Sequence, residues 1–346
     1  MPAADAPEAA AAAAGLHYVS ADEPGITRLR WGRGFTYRTH AGETVPKGPD
    51  RERIDSLAVP PAWTEVWICA RPDGHVQATG RDARGRKQYR YHDDWGAARA
   101  EDKFEQLAAF GDRLGSIRRR VADDLDCRGL PKERVVALVV RLLDETLVRV
   151  GNPEYARDES FGLTTLESRH VNIDGRDLVF EFEGKSGVEQ EVPVDDPELV
   201  RMVRACDDLG DAQLFAYRDG DDIIGICSDD VNEYLRRIAG PATSARDFRT
   251  WGGTVAVVED LGPLDTHDEP DIGVERRFLE AVDRAAERLG NTRAVCRESY
   301  VHPVVEQAFQ SGDLHQAWKR SRRSRRLTRA ERTTLRLLSR PVGAHT

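Results

Sequence analysis

The spacing of apolar residues changes three times along this chain, and those changes restrict the fold more than any single motif. Before about residue 98 the apolar positions fall in short runs. Val66 to Ala70 and His75 to Ala78 flank Asp73-Gly74, a strong hairpin signal. After Trp95 the pattern turns helical. From Pro131 to Val150, residues Val135, Val139, Leu142, Leu143, Thr146, Leu147 and Val150 recur at helical spacing, with Gly151-Asn152-Pro153 as the stop. The period then returns to that of strands. Ser168 to Ile173, Asp177 to Glu183 and Val188 to Val194 read as three antiparallel strands, turned by Asp174-Gly175 and by Gly184-Lys185-Ser186-Gly187. Helices resume beyond Pro197. Ser228 is placed to cap one that ends at Gly240-Pro241, and Ser244 with Asp247 forms a capping box for the next. Another runs from about Val274 to Leu289 and stops at Gly290. Thr292 can cap the helix carrying Tyr300, which Pro303 ends or kinks.

The expected fold class is therefore α+β. A small N-terminal β-rich domain occupies 18–98, and a larger, mainly α-helical domain with an embedded three-stranded β-meander occupies 99–338. The Ala-rich residues 1–17 read as a disordered tail and 339–346 as a C-terminal tail. At 346 residues the chain has room for both domains.

Function classes drop out on composition. No apolar run approaches the roughly 20 residues of a membrane span, and the Ala-rich start lacks the basic region of a signal peptide. Five scattered cysteines without a Cys-x-x-Cys give no disulfide framework or zinc ribbon, so a reducing cytoplasm is expected. Fifty-one basic against sixty acidic residues give a net charge of −9, which argues mildly against nucleic acid as partner. The distribution reverses that argument. Basic residues cluster at 84–90, at Arg118 to Arg120 and at 319–326, while acids concentrate at 195–222 and 259–271. Local cationic patches on an acidic chain can hold DNA on one face, although any one cluster taken alone reads first as a solvated helix face. Tyr89 and Tyr91 inside the first cluster add stacking groups beside cations.

No phosphate-binding loop, His-Glu-x-x-His or Gly-x-Ser-x-Gly occurs, and the nine histidines show no metal spacing, so no cofactor is expected. What remains is a set of placed cations. Arg149 falls in the last turn of an apolar helix, where the dipole favours it. Lys185 sits between glycines at a hairpin tip, either a plain surface turn or a mobile arm. Arg249 falls in the first turn of its helix, where the dipole disfavours a cation; that asks for a phosphate or carboxylate, with Asp247 or the Glu259 region as the local candidates. Tyr300 alone reads as a half-buried aromatic.

Taken together, the segments around these residues follow one pattern. Leu147 to Tyr155, Phe182 to Gly187, Arg246 to Gly252 and Gly290 to Tyr300 resemble, in order, the catalytic segments of type IB DNA topoisomerases, most closely the small poxvirus-like form found in bacteria. Gly80 to Tyr91 resembles that family's N-terminal DNA-contact motif. The resemblance runs from about residue 20 to 335. It implies that Tyr300 attacks a DNA phosphodiester to leave a 3′-phosphotyrosyl bond and a free 5′-hydroxyl. It implies that Arg149 and Arg249 grip the non-bridging oxygens, and that Lys185 protonates the departing 5′ oxygen. Asn291 stands where eukaryotic and viral members carry His. It can donate an amide hydrogen bond to a phosphate oxygen but cannot exchange a proton near pH 7.

The same resemblance implies DNA contacts from Arg84, Arg86, Lys87, Gln88, Tyr89 and Tyr91 in the first domain, and from Tyr155 and Arg246 in the second. The implied partner is double-stranded DNA, bound by a monomer through a two-domain clamp that opens at a linker near residue 98, in the cytoplasm at the nucleoid. No membrane is involved. Tyrosine recombinases share the Arg-Lys-Arg-Tyr chemistry, but they usually show His-x-x-Arg where this chain has Arg246 to Arg249, and they lack the 80–91 motif. A non-catalytic DNA clamp is the other alternative.

Overall fold

The computed structural model describes residues 6–83, 85–152, 156, 159–175, 177–185, 187–266 and 270–339. It divides into two compact units, 1–103 and 104–346.

The first unit holds a five-stranded antiparallel sheet of β1 (Ile26–Trp31), β2 (Gly34–Arg38), β3 (Thr64–Ile68), β4 (Val76–Arg81) and β5 (Lys87–Tyr91), in the order β2-β1-β3-β4-β5. Ile26, Val66, Ile68, Ala78 and Tyr37 form its core with Ile54 from helix α2 (Pro49–Ser56). The hairpin expected at Asp73-Gly74 exists, with Ile68 opposite Ala78. Its glycine serves a different purpose from a tight turn. A side chain at Gly74 would place Cβ 2.6 Å from the Cys69 sulfur, so close approach demands it. The tail expectation needs correction over 6–17. Ala6–Ala13 form helix α1, and Ala11 and Leu16 are buried with Trp95, because an Ala-rich helix end can close an apolar gap. Residues 1–5 and 340–346 lie outside the described residues.

The domain boundary also moves. The units divide between Lys103 and Phe104, inside the 33-residue helix α3 (Asp93–Leu125), so the backbone at the expected linker near residue 98 is helical.

In the second unit, α3 is followed by α4 (Lys132–Thr146), the meander β6 (Val171–Asp174), β7 (Asp177–Gly184) and β8 (Val188–Val194), and α5 (Pro197–Asp207). A short hairpin β9 (Ala216–Asp219) and β10 (Asp222–Gly225) comes next, unforeseen in a stretch whose acids mask the alternation. Helices α6 (Ser228–Ala239), α7 (Ala245–Leu261), α8 (Asp271–Leu289), α9 (Arg293–Tyr300), α10 (Pro303–Gln310), α11 (Asp313–Arg320) and α12 (Arg329–Leu338) complete it. The meander order β6-β7-β8 is as read, except that 168–170 is a turn of 3₁₀ helix.

Helix α7 ties two apolar clusters together. Ala245, Phe248 and Trp251 pack with α3, α4, the meander and α6, while Val257, Val258 and Leu261 pack with α8 to α12. The Ser244–Asp247 capping box is present, with the Ser244 N–H donating to Asp247 (2.7 Å). The α6 cap falls one residue early, on Cys227, whose N–H donates to the Asp230 carboxylate (2.9 Å). Pro303 neither ends nor kinks α9. It opens α10, and His302 Nδ1 caps that helix by accepting from Val304 N–H (3.0 Å).

Candidate active site

Helix α4 stops at Thr146, four residues before the expected end, because Leu147 takes a left-handed conformation (φ 59°). That turn drives the Leu147 side chain against α7, where a Cβ on Gly252 would lie 2.5 Å from it. Arg149 is consequently in the loop beyond the helix, not in its last turn, and the dipole account of it fails. The loop is pinned instead. Leu163 N–H donates to Arg149 O (2.8 Å), Thr164 N–H to Val150 O (2.6 Å), and Gly162 permits the crossing, since its Cβ would meet Arg149 O at 2.5 Å. Thus fixed, Arg149 reaches out half-buried and donates from Nη2 to Asn291 Oδ1 at 2.6 Å.

Arg249 is the fifth residue of α7, one position past the first turn, and only 5% exposed. Two backbone carbonyls hold its guanidinium, Leu147 O through Nη1 and Leu289 O through Nη2 (2.8 Å), while Asp247 is committed to the cap. Its Nε is buried with no partner among the described residues. Burial, then the neighbouring Arg149, pull its pKa down to about 10.

The guanidinium carbon of Arg249 lies 5.1 Å from the centroid of the Tyr300 ring. Tyr300 is the last residue of α9 and half-buried. Burial pushes its hydroxyl up, but Arg249, by charge and by hydrogen bond, followed by Arg149 and Arg246, outweighs burial and holds it below the ordinary tyrosine range.

Asn291 completes the group. Gly290 ends α8 in the left-handed conformation (φ 58°), and Asn291 N–H turns back to Ala286 O (2.9 Å). The Asn291 side-chain Nδ2 is buried with no partner among the described residues. Two guanidinium groups therefore lie near a phenol held below its ordinary range, and one of them bonds Asn291, whose amide nitrogen is idle, a donor set suited to the oxygens of a phosphate.

Lys185 stands apart from this group. It is exposed at the β7–β8 turn and makes no hydrogen bond or ion pair with the described residues. The base of its hairpin borders the site nevertheless. Gly184 and Gln190 line a cleft with Arg149, Arg249 and Leu289, and Lys185 follows Gly184 directly. Arg246 is exposed on α7, one turn before Arg249.

In the first unit, β5 sorts its residues by face. Lys87, Tyr89 and Tyr91 alternate onto one side, with the two tyrosine rings stacked 5.8 Å apart and Lys87 Nζ 5.6 Å from the Tyr89 ring. Both tyrosines are nearly half exposed. Gln88 and Arg86 are engaged with Asp82, which accepts from Gln88 Nε2 (3.0 Å) and Arg86 Nε (2.9 Å). Arg84 and Tyr155 lie outside the described residues. Among the described residues no three His, Cys, Asp or Glu converge into a cluster, and no helix is long and apolar enough to cross a membrane.

Sequence reasoning missed the glycines that let the site close up. Gly252 admits Leu147, and a Cβ on Gly253 would lie 2.9 Å from Tyr300 O. Adjacent glycines inside a helix cost about 1 kcal/mol each relative to Ala, so the pair was a readable signal of close approach.

Comparison with known proteins agrees with this geometry. The family described as eukaryotic DNA topoisomerase I, catalytic core, matches residues 92–324, and that described as bacterial DNA topoisomerase IB, N-terminal domain, matches 34–82. DNA topoisomerase 1B of Acanthamoeba polyphaga mimivirus is 29% identical over 295 residues, 83% of this chain and 88% of the viral one. DNA topoisomerase 1B of Vaccinia virus (strain Copenhagen) is 20% identical over 286 residues, 79% of this chain and 86% of its own. With well over half its length matched by the catalytic core and the donor set in place around Tyr300, the chain belongs to the type IB DNA topoisomerases.

Proposed function

We propose that this topoisomerase relaxes supercoils of either sign through a transient 3′-phosphotyrosyl break. The Tyr300 phenol releases its proton to water and its oxygen attacks the scissile phosphorus, the phosphorus–5′ oxygen bond breaks, and Lys185 gives a proton to the leaving 5′ alkoxide and takes one back from water. Arg149, Arg249 and Asn291 donate to the non-bridging oxygens, where charge builds in the pentacoordinate transition state. The observation that carries this reading is the bond from Arg149 to Asn291 Oδ1, which leaves the Asn291 amide nitrogen buried with no partner among the described residues.

Lys185 rests on its place next to Gly184 at the cleft and on the need of a high-pKa leaving group for a proton. Its exposed ammonium on the hairpin next to the cleft reaches the 5′ oxygen once DNA fills the cleft. The phosphotyrosyl bond keeps the energy of the phosphodiester, and religation is the same transesterification reversed, so neither nucleotide nor metal is required. Between the steps the nicked strand rotates.

Lys87, Tyr89 and Tyr91 form the DNA-facing row of the first unit, Arg86 and Gln88 flank it, and Arg84, Tyr155 and Arg246 are further DNA contacts of this reading. The enzyme acts as a monomer on nucleoid DNA in the cytoplasm.

The test is relaxation of a supercoiled plasmid in EDTA without nucleotide, together with trapping of a denaturation-resistant adduct. Wild type is expected to relax the plasmid at no special site and to hold the 3′ end. Tyr300→Phe is expected to bind DNA but to lose relaxation and adduct together. Residual adduct in that variant, attachment at the 5′ end, or an absolute need for magnesium overturns the proposal.

A further inference from the structure

Helix α9 ends at Tyr300, and Val301 is already extended (φ −111°, ψ 121°). The backbone at this helix end is tied to α7. Thr254 is fully buried (0% exposed), and its hydroxyl lies within donating distance of two carbonyls, Tyr300 O at 3.0 Å and Thr250 O at 2.8 Å. The same oxygen accepts from His302 N–H at 3.1 Å. A threonine within a helix commonly bonds back to the carbonyl four residues earlier. Reaching across to both sides of a chain reversal in a second helix is the additional feature. Gly253 makes the approach possible, since a Cβ there would lie 2.9 Å from Tyr300 O and 3.0 Å from Tyr300 Cβ.

We infer that Thr254 is a positioning residue for the nucleophile: its hydroxyl fixes the Tyr300 backbone to the helix that carries Arg249. The hydrogen bonds of the Thr254 hydroxyl go to backbone groups of Thr250, Tyr300 and His302. It acts on geometry alone, holding the Tyr300 oxygen in line with a phosphate that Arg249, five residues earlier on the same helix, grips. The inference rests on Tyr300 being the attacking residue.

Three variants test it by single-turnover adduct formation at saturating duplex DNA, with DNA affinity and thermal melting measured alongside. Thr254→Val keeps the shape and removes the hydroxyl. It is expected to slow adduct formation about 10²-fold, the effect of roughly 1 Å of misplacement, with DNA affinity unchanged. Thr254→Ser keeps the hydroxyl and is expected to restore the rate to within a few-fold of wild type. Gly253→Ala leaves the hydroxyl intact and crowds the Tyr300 carbonyl, so it is expected to slow adduct formation as well, which keeps the test alive if the valine variant melts below the assay temperature. A valine variant that reacts like wild type, a serine variant as slow as the valine one, or a defect wholly in DNA affinity overturns the inference. A wild-type protein that forms no adduct overturns the reading of Tyr300 first, and this inference with it.

Discussion

Replacing Asn291 by aspartate pulls folding and catalysis in opposite directions. In the free protein Asn291 Oδ1 accepts from Arg149 at 2.6 Å, while Nδ2 is buried and unpartnered. Asp keeps the accepting oxygen, turns a bond with one charged partner into an ion pair and deletes the idle donor. The existing bond, with its charged donor, already contributes about 1.5–3 kcal/mol; the second charge adds attraction to it, and burying the carboxylate offsets part of that gain. The melting temperature of Asn291→Asp is therefore expected to stay level or to rise.

With DNA in the site the same change is harmful. A carboxylate oxygen would face a phosphate oxygen where an N–H should donate. At a separation of ~4 Å and an effective dielectric of ~20 the repulsion is about 4 kcal/mol, or roughly 10³-fold in rate. Asn291→Ala removes the donor without adding charge and is expected to lose about 10²-fold, the usual effect of one missing transition-state donor. The assay is single-turnover cleavage of an end-labelled duplex, read as covalent adduct on a denaturing gel, with melting curves on the same samples. An aspartate variant that cleaves within tenfold of wild type, or an alanine variant as impaired as the aspartate one, would refute the placement of phosphate against Nδ2.

Three further outcomes are expected. Lys185→Ala should slow cleavage of ordinary DNA by about 10²–10⁴-fold and recover most of that rate on a substrate with sulfur at the scissile 5′ position, because a thiolate leaves without a proton; equal defects on both substrates would leave Lys185 only an electrostatic role. Arg249→Gln removes the largest influence holding the Tyr300 hydroxyl below its ordinary range and leaves burial, which raises it, with Arg149 and Arg246 still lowering it. The limb of the cleavage–pH profile that reports the phenol should then move to higher pH, and a limb that stays put or moves down contradicts the assignment. Gly290→Ala forces a side chain into a left-handed residue (φ 58°) and should destabilise the fold by about 1–2 kcal/mol in chemical denaturation; wild-type stability would show that the turn before Asn291 relaxes freely.

Elements whose ends are written in local chemistry were legible in the sequence. Gly290 stops α8, Ser244 with Asp247 opens α7 and Thr292 caps α9, because each cap is a bond among residues close in the chain. The meander was legible through its alternation and turns. Ends set by distant contacts were not. Nothing near residue 147 announces that α4 stops there. The cause is Gly252, more than a hundred residues on, which leaves room for Leu147 to dock in a left-handed turn. The α1 helix depends likewise on Trp95, and the break expected at residue 98 gave way to α3 running on to Leu125.

The site divides along the same line. Arg149, Lys185, Arg249, Asn291 and Tyr300 were named together as a family pattern, yet the local reasons offered for two of them failed. Arg149 was assigned to a helix dipole it does not touch, and Arg249 was read as a first-turn cation needing a phosphate or carboxylate, whereas two backbone carbonyls hold it. Both errors share a physical origin. Each arginine is held by backbone far away in the sequence: Arg149 by the crossing of 149–151 with 162–164, Arg249 by the carbonyls of Leu147 and Leu289. A guanidinium held by neutral carbonyls keeps its full charge for an incoming anion, whereas one held by a carboxylate has largely spent it. Among the described residues no carboxylate pairs with Arg249, and in the proposed reaction that leaves its charge to the phosphate.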